Sequence, residues 1–156
     1  MITIVMSAAI AAEPQRVWRA LTDPSECIAW DEKRLSVLDS TDAYPDPGET
    51  VRWHYRMGSV PIVMREQPIE VVAGRKLHSK VTLGSLHFDQ IFTLNLEHDP
   101  ASPDDTAKTL LGMKVVASNS APVLGAVIDR FEVRRLTIDR VDATLRAITK
   151  WCESGA

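Results

Sequence analysis

The chain changes rhythm four times. Residues 2–5 open with β-branched Ile2, Thr3, Ile4 and Val5, the mark of a strand. From Pro14 the spacing turns helical, with Val17, Trp18 and Leu21 on one face. Pro14 suits the first helical position, and Pro24 ends that helix by pushing Asp23 out of the α region. Asp23-Pro24-Ser25-Glu26 then starts another helix at once, with Asp23 as N-cap and Glu26 in capping-box position. This second helix of about two turns carries Cys27 and Trp30 on one side. Two short helices back to back, directly behind a strand, suit the closing of one end of an open structure.

After the turn-rich run DSTDAYPDPGE the period drops to two and stays there to about residue 118. Gly-Ser stands between apolar residues in MGSV and in LGSL, the sequence of a two-residue type II′ turn. Such a turn fixes the register, and directly paired residues share a face. In the second hairpin this pairs Leu83 with Leu86, Val81 with Phe88, Ser79 with Gln90 and Leu77 with Phe92 on an apolar inner face. Thr82–His87, Lys80–Asp89 and His78–Ile91 fall on the other face, with Lys80–Asp89 as a cross-strand ion pair. In the first hairpin Met57 pairs with Val60, Tyr55 with Ile62, Trp53 with Met64 and Val51 with Glu66, while Arg52, His54, Arg56 and Arg65 face outward. FTLNL keeps Phe92, Leu94 and Leu96 inward, and TLLGMKVVA does the same for Leu111, Met113 and Val115.

The chain closes on a long amphipathic helix. Its apolar stripe runs Leu124, Val127, Ile128, Phe131, Ile138, Val141, Leu145, Ile148 and Cys152. Arg134 and Arg135 interrupt the stripe, which implies that one of them leans toward the buried side. The order is therefore strand, two short helices, six strands and a long helix. An α+β arrangement satisfies it: a curved antiparallel sheet of about seven strands grips the C-terminal helix, and the helix pair closes one end of the groove.

The segment IAAEPQRVWRALTDP followed by Trp30, then GET before a strand, IEVVAGRKL at mid-chain and the closing helix resemble the SRPBCC superfamily over essentially the whole chain. That group includes START, Bet v 1-like and polyketide cyclase/dehydrase proteins. The resemblance implies a helix-grip fold with an internal cavity for lipids, quinones or polyketide-like aromatics. It leaves three roles open: a carrier of such a molecule, a polyketide aromatase/cyclase or dehydratase, and an interaction module of the Hsp90-activator kind. Fold alone does not choose among them.

Composition narrows the partners. At 156 residues the chain fits one domain spanning 1–156 with a single sizeable core. The net charge of −3 is spread without a basic stripe, so nucleic acid is not an expected partner. Cys27 and Cys152 lie far apart and match no metal or redox spacing, as expected of two reduced thiols in a cytoplasmic protein. MITIVMSAAIAA has no basic residue before Arg16, so it reads as a strand rather than a signal peptide. No membrane insertion, metal or cofactor is expected, and the protein is expected to be a monomer or a homodimer.

Four histidines are assigned to the surface: His54, His78 and His87 by register, and His98 by its polar loop. The expected ligand-binding set is Trp30, Trp53, Tyr55, Met64, Glu66, Ser79, Phe88, Gln90, Phe92, Met113, Phe131, Arg134 and Arg135. Sites of this kind are mostly apolar and aromatic with a few placed polar groups. Ser79 and Gln90 either bond each other or serve a ligand. By its register Glu66 looks into an apolar space, unless it sits at the rim or is partnered by Arg134 or Arg135; a Glu–Arg couple there suits ligand anchoring or acid–base work.

Overall fold

The computed structural model describes residues 1–97, 107–118 and 130–154, with side chains of the last stretch from Glu132 onward. Its elements follow the expected order: β1 (Ile2–Ile10), α1 (Pro14–Thr22), α2 (Pro24–Trp30), β2 (Arg34–Val37), β3 (Val51–Met57), β4 (Val60–Val72), β5 (Lys76–Leu83), β6 (Leu86–Glu97), β7 (Lys108–Ser118) and α3 (Arg130–Glu153). The strands form one antiparallel sheet in the order β1-β7-β6-β5-β4-β3-β2. The polar loop with His98, the stretch with Leu124, Val127 and Ile128, and the side chain of Phe131 lie outside the described residues.

Both hairpin registers are as the turns dictate, from Met57↔Val60 to Val51↔Glu66 and from Leu83↔Leu86 to Leu77↔Phe92. Gly58 and Gly84 each adopt φ 61°, and no described residue other than glycine has positive φ. Ser59 and Ser85 therefore keep negative φ, which makes these turns type II′ rather than I′. β4 runs past both hairpins and shifts register between Pro68 and Glu70. Pro68 has no N–H for the ladder, and a bulge accommodates that loss.

Helix α3 packs against β1, β7, α1 and α2. Space is thus left between the helix and the far strands of the sheet. The buried stripe of α3 runs Val133, Thr137, Val141, Leu145, Ile148 and Cys152, mostly four residues apart. This phase corrects the expected one. Arg134 and Arg135 are both exposed, and Ile138 is exposed as well, because the stripe passes through Val133 and Thr137 instead. Leu96 is also exposed rather than inward, near the end of β6.

The helix pair is built as expected except for one bond. Asp23 caps α2 by accepting from the Ser25 N–H at 2.9 Å. Glu26 does not complete a capping box, since the Asp23 N–H bonds the Arg19 carbonyl. Its carboxylate instead accepts from Arg16 at 2.6 Å, Arg19 at 2.7 Å and the Trp151 indole at 2.7 Å. That one side chain pins α1, α2 and α3 together. On the outer face of the sheet Asp89 pairs with His78 at 3.2 Å, diagonally, and not with Lys80 opposite it.

Candidate functional site

The space beside α3 is a cavity of two lobes. The larger, about 420 Å³, is lined chiefly by Met57, Leu83, Leu86, Phe88, Val115 and Val133, with Thr137 and Ala117 between them. The smaller, about 240 Å³, lies toward the helix pair against Trp30, Asp31, Glu32, Ala143, Thr144 and Ala147. Lys33, Tyr55 and Arg140 line both lobes.

Helix periodicity explains the layout. Val133, Leu136, Thr137 and Arg140 stand at i, i+3, i+4 and i+7, and so present one face to the larger lobe. Arg140, Ala143, Thr144 and Ala147 repeat that spacing one turn-pair later and face the smaller lobe.

Arg140 is the hinge between the lobes. Its Nη1 donates to the Tyr55 hydroxyl at 2.7 Å, and its Nη2 donates to Gln90 Oε1 at 3.4 Å. The guanidinium carbon stands 5.1 Å from the Phe88 ring centre and 5.7 Å from that of Tyr55. Arg140 Nε is buried with no partner, and no carboxylate among the described residues forms an ion pair with this side chain. Burial pushes the Tyr55 phenol above its ordinary value although Arg140 pulls the other way. The phenol therefore keeps its proton, for which the described residues supply no acceptor.

A second polar group sits in the core behind the smaller lobe, whose lining residue Asp31 it holds. Arg34 bonds Asp31 at 3.1 Å and lies 4.6 Å above the Trp53 ring, with Tyr44 edge-on to the same ring at 6.0 Å. Burial works against the Arg34 charge, and the nearby Cys27, Glu66 and Asp31 outweigh it and hold the guanidinium above its ordinary value. Tyr44 is raised well above its ordinary value by burial and by the nearby Glu66, and its hydroxyl donates to the Leu21 carbonyl at 3.5 Å.

The expected site residues therefore divide. Tyr55 and Phe88 line the larger lobe and Trp30 the smaller one. Gln90 reaches the site through Arg140. Trp53, Met64, Ser79, Phe92 and Met113 are fully packed core and line neither lobe. Glu66, at 1% exposure, is neither at a rim nor held by Arg134 or Arg135, both of which face solvent. Ser79 and Gln90 do not bond each other, and Ser79 Oγ is buried without a partner. His54 and His78 are on the outer face, whereas His87, exposed and bonded to Thr82 Oγ1 at 3.2 Å, also borders the larger lobe. Lys33, Leu83, Leu86, Val115 and Arg140 line the cavity without belonging to the expected set, and Arg140 is the most consequential of them. Its signal was the run Ala143, Thr144, Ala147 following it at helical spacing.

A curved seven-stranded antiparallel sheet, a helix pair after the first strand and a C-terminal helix over a cavity define the helix-grip class of the SRPBCC superfamily. The chain belongs to the family described as polyketide cyclase / dehydrase and lipid transport, whose sequence model matches residues 1–153. No curated protein matches it in sequence. Among solved structures it is similar to a START superfamily protein from Mycobacterium smegmatis, at 14% identity and TM-score 0.72 over 99% of each chain. It is also similar to protein MLL2253 from Mesorhizobium loti, at 19% identity and TM-score 0.69 over 99% of each chain. Protein TTHA0849 from Thermus thermophilus matches at 13% identity and TM-score 0.69, again over 99% of each chain. At these identities the likeness is one of fold. No helix among the described residues is long and apolar enough to cross a membrane.

Proposed function

We propose that this protein binds an apolar or aromatic small molecule, of lipid, quinone or polyketide-like type, in the two-lobed cavity. The observation that carries the reading is the larger lobe: about 420 Å³ walled mainly by aliphatic and aromatic side chains between sheet and helix. That volume falls within the range of small-molecule sites, roughly 300–1,000 Å³. Taking about 30 Å³ for the space of one water molecule, it admits a ligand on the order of 14 heavy atoms.

Carriage is favoured over turnover by the lining itself. A cyclase or dehydratase needs a base within reach of an acidic carbon. No carboxylate among the described residues lines the larger lobe; Asp31 and Glu32 lie at the smaller one, and the exposed His87 bonds Thr82 Oγ1 through Nδ1.

Native mass spectrometry of protein purified from its own host tests the proposal. A non-covalent adduct that organic extraction removes is the expected result. Bare protein that also fails to take up any of a panel of fatty acids, quinones and aromatic polyketide mimics would overturn it.

A further inference from the structure

The cavity lining carries a charge asymmetry. Lys33 and Arg140 border the larger lobe, while its described lining contains no Asp or Glu. The two carboxylates of the site, Asp31 and Glu32, are confined to the smaller lobe, and Asp31 is already paired with Arg34 at 3.1 Å. A part-buried guanidinium without a counter-ion is costly to desolvate, and an anion that enters its reach removes that cost. Arg140 is such a group: its Nη1 and Nη2 each give one bond to a neutral partner, Tyr55 and Gln90, and no carboxylate among the described residues pairs with it. The Tyr55 O–H beside it is a donor with no acceptor among the described residues.

We infer that the natural ligand is an amphipathic carboxylic acid. Its carboxylate sits where the two lobes meet, accepting from Arg140 and from Tyr55 O–H, and its apolar body fills the larger lobe among Leu83, Leu86, Phe88 and Val115. The inference rests on the cavity reading above and adds the chemical class of the head group. A carboxylate takes both donors at once, whereas an ester, an alcohol or a hydrocarbon leaves the guanidinium without a counter-charge. The Phe88 ring, 5.1 Å from the guanidinium carbon, marks the point where head gives way to body.

The test displaces a neutral fluorescent probe, N-phenyl-1-naphthylamine, with two matched pairs: dodecanoate against methyl dodecanoate, and 2-naphthoate against methyl 2-naphthoate. Charge-assisted hydrogen bonds predict that the acid of at least one pair binds about tenfold or more tightly than its ester. Arg140→Met should bring acid and ester to within about threefold of each other, whatever the change in their common affinity, and Arg140→Lys should keep part of the preference. Equal affinity of acid and ester in the wild-type protein overturns the inference and needs no variant to show it. A preference undiminished in Arg140→Met overturns it too. Binding of the neutral probe together with esters but not acids leaves the cavity reading standing and removes only this inference. If neither probe nor any of the four compounds binds, the cavity reading falls and the inference falls with it.

Discussion

Arg140 on α3 and Tyr55 on β3 meet at 2.7 Å across an interior where the helix backbone packs on β1 and β7 rather than on β3. One side chain thus spans the gap that makes the cavity, and the same contact separates its two lobes. The relationship couples stability to the site. Whatever loosens the Arg140–Tyr55 contact changes the shape of the space available to a ligand.

Tyr55→Phe isolates that contact. The ring and its packing stay, and only the acceptor for Arg140 is lost. A hydrogen bond to a charged group predicts a cost of about 1–2 kcal/mol in urea unfolding. Full wild-type stability in the variant would show that the contact contributes nothing to holding helix and sheet together.

Glu26 gives the clearest pH dependence. Burial works to raise its pKa, but the bonds from Trp151 and Arg16 outweigh that and hold the carboxyl below its ordinary value of 4.5. A carboxyl lowered in the folded state contributes stability above its unfolded pKa and loses it as pH falls through the folded one. The wild-type protein should therefore lose stability more steeply than Glu26→Gln between about pH 5 and pH 3. Glu26→Ala should cost about 3 kcal/mol at neutral pH, through the lost Arg16 pair and the Trp151 indole N–H left without its acceptor. Arg19, more than half in solvent, adds little to that cost. Parallel acid limbs for wild type and Glu26→Gln in chemical denaturation would refute the assignment.

Ser79 and Lys80 are sequence neighbours with opposite expectations. Ser79 Oγ is buried without a partner, so Ser79→Ala removes an unsatisfied polar atom and should raise stability by about 1 kcal/mol. Lys80 is exposed and outside the His78–Asp89 pair, so Lys80→Ala should change stability by less than about 0.5 kcal/mol. Thermal or urea unfolding of the two single variants decides it. A loss in Ser79→Ala would mean that the hydroxyl holds something in place.

The two thiols should be inert while the protein is folded. Burial pushes Cys27 up to about 12 and Cys152 up to about 11. Reaction with iodoacetamide near about pH 8 depends on the thiolate and on access, and both are withheld here. Intact mass should show no adduct on native protein and two adducts after denaturation. Rapid labelling of Cys27 without denaturant would mean that the helix pair opens readily.

The hairpins were legible because Gly-Ser between apolar residues prescribes both turn type and register, so alternation could be carried four pairs along each strand. Trp53, Met64 and Glu66 were placed on the inner face for that reason, and that is where they lie. Facing inward does not separate core from cavity lining, though. That distinction depends on where α3 sits along the sheet, and a strand pattern holds no such information. Arg134 and Arg135 drew attention because the stripe was phased through Ile138. The real stripe follows Val133, Thr137 and Val141, which turns Arg140 toward the sheet and those two arginines out. The local motif at Glu26 matches a cap, while its actual partner Trp151 lies 125 residues away, beyond what a local motif encodes.

Filling the larger lobe with a side chain should displace a bound molecule from it. Ala117 lines that lobe and is buried at its wall, so Ala117→Phe places a ring where the account puts a ligand. The measurement is saturation binding of N-phenyl-1-naphthylamine, with melting temperature as the control for folding. Wild-type protein should bind one probe per chain, and folded Ala117→Phe should bind it at least about tenfold more weakly, the scale expected when an apolar contact of a kilocalorie or more is lost. Equal binding by the two folded proteins would place the probe elsewhere and contradict the account.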